Sequence, residues 1–288
     1  MQFEFGILAA FGAMICWGIG DFLIQRGARK MGDIESLAFI GGLGAIGLFP
    51  FILPELPMLF QPANLALLFF VGAITFVAAI FDFEALKEGK LSVIEVILEI
   101  ELPVTAMLAV IFFKESISIP QFSVIIAIFL GIVLIALGSF SKKHTAKGIE
   151  KGVFLAVLAA IGMAAVNFLT AVGSKQVSPL MVIWMPWLVI AILSVFFIWK
   201  REGLPRFFRN AKKFEGLIVA MAIFDTLAWL FFATAVLENE LAITTAITES
   251  YPAIGILLGV WLNKERILPH QYAGAGIALA ASVLLVFI

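Results

Sequence analysis

Cysteine, histidine and charge are all scarce in this chain of 288 residues, and each scarcity closes off a class of function. Cys16 is the one thiol, so an intramolecular disulfide and any multi-cysteine metal or redox centre are excluded, and Cys16 reads as a small packing residue. His144 and His270 are expected in loops far apart in sequence, which leaves no visible basis for a histidine metal site or a Ser-His nucleophile. No metal and no cofactor are therefore expected. Charged residues make up only 14% of the chain and the net charge is −1, so a basic surface for nucleic acid is not expected either. What the chain has instead is 62% hydrophobic residues, 29 of them Phe, with a mean hydropathy of +1.11. No water-soluble domain of this size could cover its surface with the remainder, and the composition implies an all-α integral membrane protein.

Apolar runs long enough to cross about 30 Å of hydrocarbon occur near 5–26, 35–53, 64–86, 91–113, 119–139, 151–173, 179–199, 214–237, 241–263 and 269–288, predicting ten transmembrane helices. The first run lacks a basic flank and a small-residue cleavage site, so it is expected to be a retained helix. The connectors around 141–150 and 200–213 are too short and polar to be domains, so any activity is expected in or beside the bilayer of the plasma membrane. Every Lys and Arg except Lys114 and Lys175 falls in connectors that follow odd-numbered spans. By the positive-inside rule those connectors are cytoplasmic and both termini external.

The chain repeats itself. A shift of 150 residues sets 85–115 on 235–265 with identity at Ala85, Glu88, Leu91, Ile97, Glu99, Leu108, Val110, Lys114 and Glu115. Charged residues are rare, so the pairing of Glu88 with Glu238, Glu99 with Glu249 and Lys114-Glu115 with Lys264-Glu265 weighs more than the shared leucines. At a shift of 146, Asp21 and Gly27 meet Asn167 and Gly173. Two repeats result, 1–140 and 150–288. Five spans in each would make the second enter the membrane inverted, as in many alternating-access carriers.

Five plus five helices, the acids after the fourth and ninth spans (Glu115, Glu265), the prolines within them (Pro103, Pro252) and the glycine-rich fifth and tenth spans together resemble the EamA-type ten-helix transporters of the drug/metabolite transporter (DMT) superfamily. The resemblance covers essentially the whole chain and implies alternating access around a central cavity between the halves, lined chiefly by spans 1, 3, 4, 6, 8 and 9. It leaves substrate open among amino acids, choline-like amines, nucleotide sugars, drugs and other metabolites. Members of that family have both termini in the cytoplasm, opposite to the orientation that the charge pattern favours.

Acids fall inside the spans at Asp21, Asp82, Glu84, Glu95, Glu99, Glu101, Asp225 and Glu249, with no Lys or Arg deep in any span. Each costs on the order of 2.5–3.5 kcal/mol at mid-bilayer unless it faces a wet cavity, is protonated or meets a cation. Asp82 and Glu84 lie close to Lys87, and Asp21 is five residues from Arg26, so for these three a helix-end role stands beside a functional one. Glu95 and Glu99 share a helical face, while Glu101 lies about 200° away from Glu99. Glu101 reads either as a packed, protonated acid or as part of a site. Glu99 and Glu249, related by the repeat, are the expected proton-coupling and substrate-binding acids, with Asp225, Asp21 and Glu101 next. Trp17 stands four before Asp21 and Trp229 four after Asp225, and Tyr251 follows Glu249 by two, an aromatic wall suited to an organic cation. Asn167 would add a polar contact or an interhelical hydrogen bond.

Gly41, Gly42, Gly44, Gly47, Gly255, Gly259, Gly274 and Gly276 read as close helix contacts, Pro103, Pro186 and Pro252 as interruptions, and Trp184, Trp187 and Trp199 as ordinary interfacial anchors. An enzyme reading rests on Gly18-Ile19-Gly20-Asp21, the GxGD string of intramembrane aspartyl proteases, with Asp82 as the second acid. In that family the other aspartate precedes GxGD and a Pro-Ala-Leu element follows, and neither holds here. The expectation is a carrier of small organic solutes, cationic or zwitterionic amines, coupled to protons, acting as monomer or homodimer. The alternative is a broad exporter of amino acids or drugs.

Overall fold

The computed structural model describes residues 2–88, 97–136, 146–201, 203–263 and 268–288. Glu95, His144, Lys264 and Glu265 lie outside them. Among the described residues all regular structure is helical. The elements are α1 (Gln2–Met31), α2 (Asp33–Ile52) running into a 3-10 segment (Leu53–Phe60), α3 (Pro62–Glu88), α4 (Glu101–Leu108) ending in a π turn (Ala109–Phe113), α5 (Ile119–Ala136), α6 (Ala146–Gln176), α7 (Pro179–Arg201), α8 (Leu204–Lys213), α9 (Glu215–Glu238), α10 (Leu241–Thr248), α11 (Tyr251–Asn263) and α12 (Pro269–Leu285). Seven stretches are long and apolar enough to cross a membrane, α10 and α11 counting as one, and 101–113 and 119–135 are shorter apolar helices. Helices dominate because a backbone in hydrocarbon must satisfy its own N–H and C=O groups. Large apolar side chains such as Phe60, Ile119 and Trp261 point outward, as expected of a surface that meets lipid tails.

The spans pair across the two halves of the chain. The largest interfaces join α1 to α9, α3 to α6, α2 to α7 and α5 to α12. The pattern is reciprocal, because the first span of one half packs on the third of the other in both directions, while second meets second and fifth meets fifth. Close approach depends on selected glycines. A Cβ on Gly41 would stand 2.7 Å from the Trp187 carbonyl oxygen, and one on Gly131 would stand 2.8 Å from that of Gly274. Gly44 and Gly274 are equally confined, but Gly42, Gly47 and Gly276 face open space, and Gly255 meets only the Gly18 carbonyl at 3.9 Å. Those four are not close contacts, because they sit off the packed face of their helices.

Other expectations also change. Trp184 and Trp187 are buried core residues rather than interfacial anchors, and Trp184 Nε1 donates to the Ala45 carbonyl at 3.0 Å. Trp199 alone of the three is exposed. Pro186 does not interrupt α7; its Cα lies 2.9 Å from where Gly72 would carry a Cβ, so the proline surface packs closely on α3. Cys16 is buried beside Trp17, as a packing residue should be. His270 lies in the first turn of α12, not in a loop.

The tight seam between α5 and α12 makes a direct test. Gly274→Ala places a methyl group against backbone atoms that cannot yield, and a loss of about 1–3 kcal/mol is expected as a lowered Tm in detergent. Gly276→Ala, facing open space, leaves the Tm unchanged or slightly higher.

Candidate functional site

The fourth and ninth spans are both broken, and both breaks fall on an acid. Residues 97–98 are helical, Glu99 and Ile100 form a turn, and α4 then starts at Glu101. In the second half α10 ends at Thr248, Glu249 and Ser250 form a turn, and α11 starts at Tyr251. The hydrogen bonds agree across the 150-residue shift: Ile100 N–H donates to the Ile97 carbonyl at 3.1 Å, and Ser250 N–H to the Ile247 carbonyl at 3.2 Å. Proline explains part of this. Pro103 has no N–H for the Glu99 carbonyl and Pro252 none for that of Thr248, so an uninterrupted helix would lose a bond at each place.

Glu99 and Glu249 are both buried, at 7% and 6% exposure. Each break is also joined to the first span of the opposite half. Asn167 on α6 donates its Nδ2 to Glu101 Oε1 at 2.7 Å, and Tyr251 on α11 comes close to Asp21 on α1. Asn167 is the repeat mate of Asp21, and Tyr251 that of Glu101, so one inter-repeat contact is written twice with different chemistry. Asn167 also lies close to Glu249, which brings both breaks near one buried amide.

The carboxyls converge. Glu101 lies within electrostatic reach of Glu249, Glu99 and Asp82, and Asp21 within reach of Asp82, Asp225 and Glu249. Asp225 is buried on α9, whereas Asp21 on α1 is exposed. Aromatic rings close one side. Trp17 and Trp229 meet edge to face with centroids 5.0 Å apart, Tyr251 lies 6.4 Å from Trp17, and Phe232 touches both tryptophans.

The expected site residues Trp17, Asp21, Glu99, Glu101, Asn167, Asp225, Trp229, Glu249 and Tyr251 thus fall in one region, and two further residues reach it. Asp82, for which the sequence left a helix-end role beside a functional one, joins the cluster with Oδ1 buried and unpartnered. Phe232 completes the aromatic wall, and nothing in a sequence with 29 Phe could have selected it. Glu84 is half-buried farther along α3. No group of His, Cys, Asp and Glu among the described residues could hold a metal ion.

A family model for EamA-like transporters matches residues 4–137 and again 150–287. The chain belongs to the EamA-like transporter family. It is therefore a member of the DMT superfamily, a multi-pass protein of the plasma membrane and a transporter of small solutes, in a family of transporters rather than enzymes. No curated protein sequence matches it. A solved crystal structure, described only as that of a protein, superposes with a TM-score of 0.79 over 97% of this chain and 95% of its own at 14% identity, which shows a shared fold. The two matched segments of the EamA-like chain each contain one broken span.

The Glu115 expected after the fourth span closes the bundle at the end that carries the chain termini. Its carboxylate accepts the first two N–H groups of α10, from Leu241 at 2.7 Å and Ala242 at 3.0 Å, and so binds one repeat to the other. Lys114 before it adopts the left-handed conformation (φ 57) that ends the π turn. Lys175 sits over the Phe113 ring. Glu240, between α9 and α10, has its carboxyl pushed up, first by desolvation, then by the Glu115 charge, with Lys175 acting the other way. An acid with a raised folded-state pKa lowers stability as pH rises through the ordinary carboxylate range towards the folded value. Glu240→Gln is therefore expected to raise Tm modestly at neutral pH, with the gain vanishing near pH ~4, where both states are protonated. A gain that persists at acid pH would refute this account.

Proposed function

We propose that this EamA-like protein transports cationic or zwitterionic amines by alternating access, exchanging them for protons at Glu99 and Glu249. The observation that carries the proposal is the coincidence of both helix breaks with these repeat-related buried acids. Discontinuous helices at the interface of two repeats are where carriers place substrate and coupling ions. The reciprocal packing of spans and the repeated inter-repeat contact support two halves related by a pseudo-two-fold axis in the membrane plane. An odd number of spans per half, five on the sequence count, produces that inversion.

Asp21, Asp225 and Glu101 supply further negative charge, and Trp17, Trp229 and Tyr251 give the cation faces to lie against. Ion pairing together with cation–π contact worth about 2 kcal/mol when desolvated would select an ammonium group over a neutral solute. Asn167 orients the acids at both breaks. Asp21, exposed to solvent, receives the substrate first. Protons would leave Glu99 and Glu249 as the amine arrives, so that the cluster never holds its full negative charge unpaired. The end bearing α8 carries most of the basic residues and is cytoplasmic on the positive-inside rule. Asp21 and Asp82 lie near each other, as a protease dyad would need, but the chain lacks the Pro-Ala-Leu element and the motif order that would go with one.

A thermal-shift screen of the purified protein with amines, quaternary ammonium compounds, neutral amino acids and organic anions at two pH values tests this. Amines at 100 times Kd should stabilise by about 2.7 kcal/mol, and Glu99→Gln or Glu249→Gln should abolish the shift. Stabilisation by neutral or anionic compounds alone would remove the amine reading. In proteoliposomes, transport by Glu99→Gln and Glu249→Gln should lose its wild-type pH dependence. An unchanged pH profile in both would remove the proton coupling.

A further inference from the structure

Within the connector at 200–213, expected to be too short and polar for a domain, residues 204–213 form a short helix seated on the bundle. Glu35 on α2, 1% exposed, accepts a hydrogen bond from Asn210 Nδ2 at 2.7 Å and pairs with Arg206 Nε at 3.2 Å, while another Arg206 nitrogen donates to the Met31 carbonyl at 3.1 Å. Phe207 stacks on Phe39 with centroids 4.4 Å apart. One face of α8 is thereby used up. Its other face presents Phe208, 62% exposed, with Arg209 and Lys212 exposed beside it, and Lys213, also exposed, sits at the helix end over the Phe214 ring.

Two residues beyond Lys213, the outward side of α9 presents Glu215, Gly216, Val219, Ala220, Ile223 and Phe224, an open face that is apolar apart from Glu215, and a Cβ on Gly216 would meet nothing within 4 Å. A basic helix face followed directly in the chain by an outward apolar face has the chemistry that a phospholipid meets, charge for the headgroup and apolar surface for a chain.

We propose that α8 and the start of α9 form a site for an anionic phospholipid of the surrounding bilayer. Arg209, Lys212 and Lys213 hold the phosphate and the anionic headgroup. One acyl chain lies along Gly216, Ala220 and Ile223, and Phe208 enters the interface beside it. Charge complementarity selects the ligand, because the exposed Arg209, Lys212 and Lys213 stand with the exposed Arg29, Lys30, Lys200 and Arg201 at this end, and Arg206 answers the buried Glu35. Each lysine or arginine near an anionic surface contributes enough to matter, and three acting together give selectivity over zwitterionic lipid. Seating on Glu35 and Phe39 makes the bound lipid a bridge between α9 of the second half and the α1–α2 corner of the first.

The test compares the full-length protein in nanodiscs of phosphatidylcholine alone and of phosphatidylcholine with phosphatidylglycerol, at fixed ionic strength. Retained phosphatidylglycerol is counted by native mass spectrometry and Tm is measured on the same samples. Phosphatidylglycerol should be retained and raise Tm. The triple variant R209Q/K212Q/K213Q should weaken retention at least about tenfold. Ala220→Trp, which projects a ring from that face into the path of the acyl chain, should reduce it while leaving Tm in phosphatidylcholine unchanged. Soluble glycerol phosphate should not reproduce the Tm rise. Equal Tm in both nanodiscs, full retention by the triple variant, full retention by Ala220→Trp, or an equal rise with glycerol phosphate would each overturn the proposal. Glu99→Gln should retain phosphatidylglycerol normally, which separates this site from the central one.

Discussion

Carboxyl groups enclosed by an apolar bundle impose the constraint on which the rest of this structure depends. A membrane span tolerates one such group at a cost of a few kcal/mol, and here Asp21, Asp82, Glu99, Glu101, Asp225 and Glu249 share one region. The fold distributes that cost. It interrupts two helices at Glu99 and Glu249, adds a buried amide at Asn167 and a phenol at Tyr251, and leaves Asp21 open to water. Close helix contacts at Gly41, Gly44, Gly131 and Gly274 then supply the packing that an acid-lined centre cannot.

The centre is nearly symmetric in position and unsymmetric in chemistry. The link from α6 to α4 is amide to carboxyl, whereas its counterpart from α1 to α11 is carboxyl to phenol. Backbone geometry at the two breaks is the same within 0.1 Å in the Ile100 and Ser250 hydrogen bonds, at 3.1 and 3.2 Å. Shape is therefore held in common while the side chains have diverged. A ligand between the halves would meet different groups on its two sides, and would be read in one orientation.

Scarcity decided what could be read from the sequence. With charge so rare, the alignment of Glu99 with Glu249 and of Glu115 with Glu265 stood out against an apolar background, and the prolines beside the acids pointed to interruptions. Glycines were a weaker guide, because small residues mark close packing only when they fall on the packed face: Gly274 does and Gly276 does not. Pro186 misled for a related reason, since α7 absorbs it while its surface fits Gly72. Trp187 is as apt for an interface as for a core, and only its position opposite Gly41 and Gly44 decides. The helical connector α8 was missed because its ten residues were judged by polarity, whereas its fold depends on Glu35, about 170 residues away, for which no local pattern exists.

The two ends of the bundle are held by different kinds of contact, and the difference bears on movement. At the α8 end, Glu35 is buried and joined to two side chains of α8, and drawing that helix away would strip a charge in a dry place of its Arg206 and Asn210 contacts. At the other end Glu115 is half-buried and holds two backbone N–H groups that water could replace. Hydrogen bonds to a charged group contribute about 1.5–3 kcal/mol each. Exchange with water recovers part of that, which brings the cost of opening near the few kcal/mol that separate interconverting states. On the alternating-access reading, the Glu115 contact has the strength required of a closure that must form and break in every cycle, whereas the buried Glu35 cluster is better suited to elements that travel together.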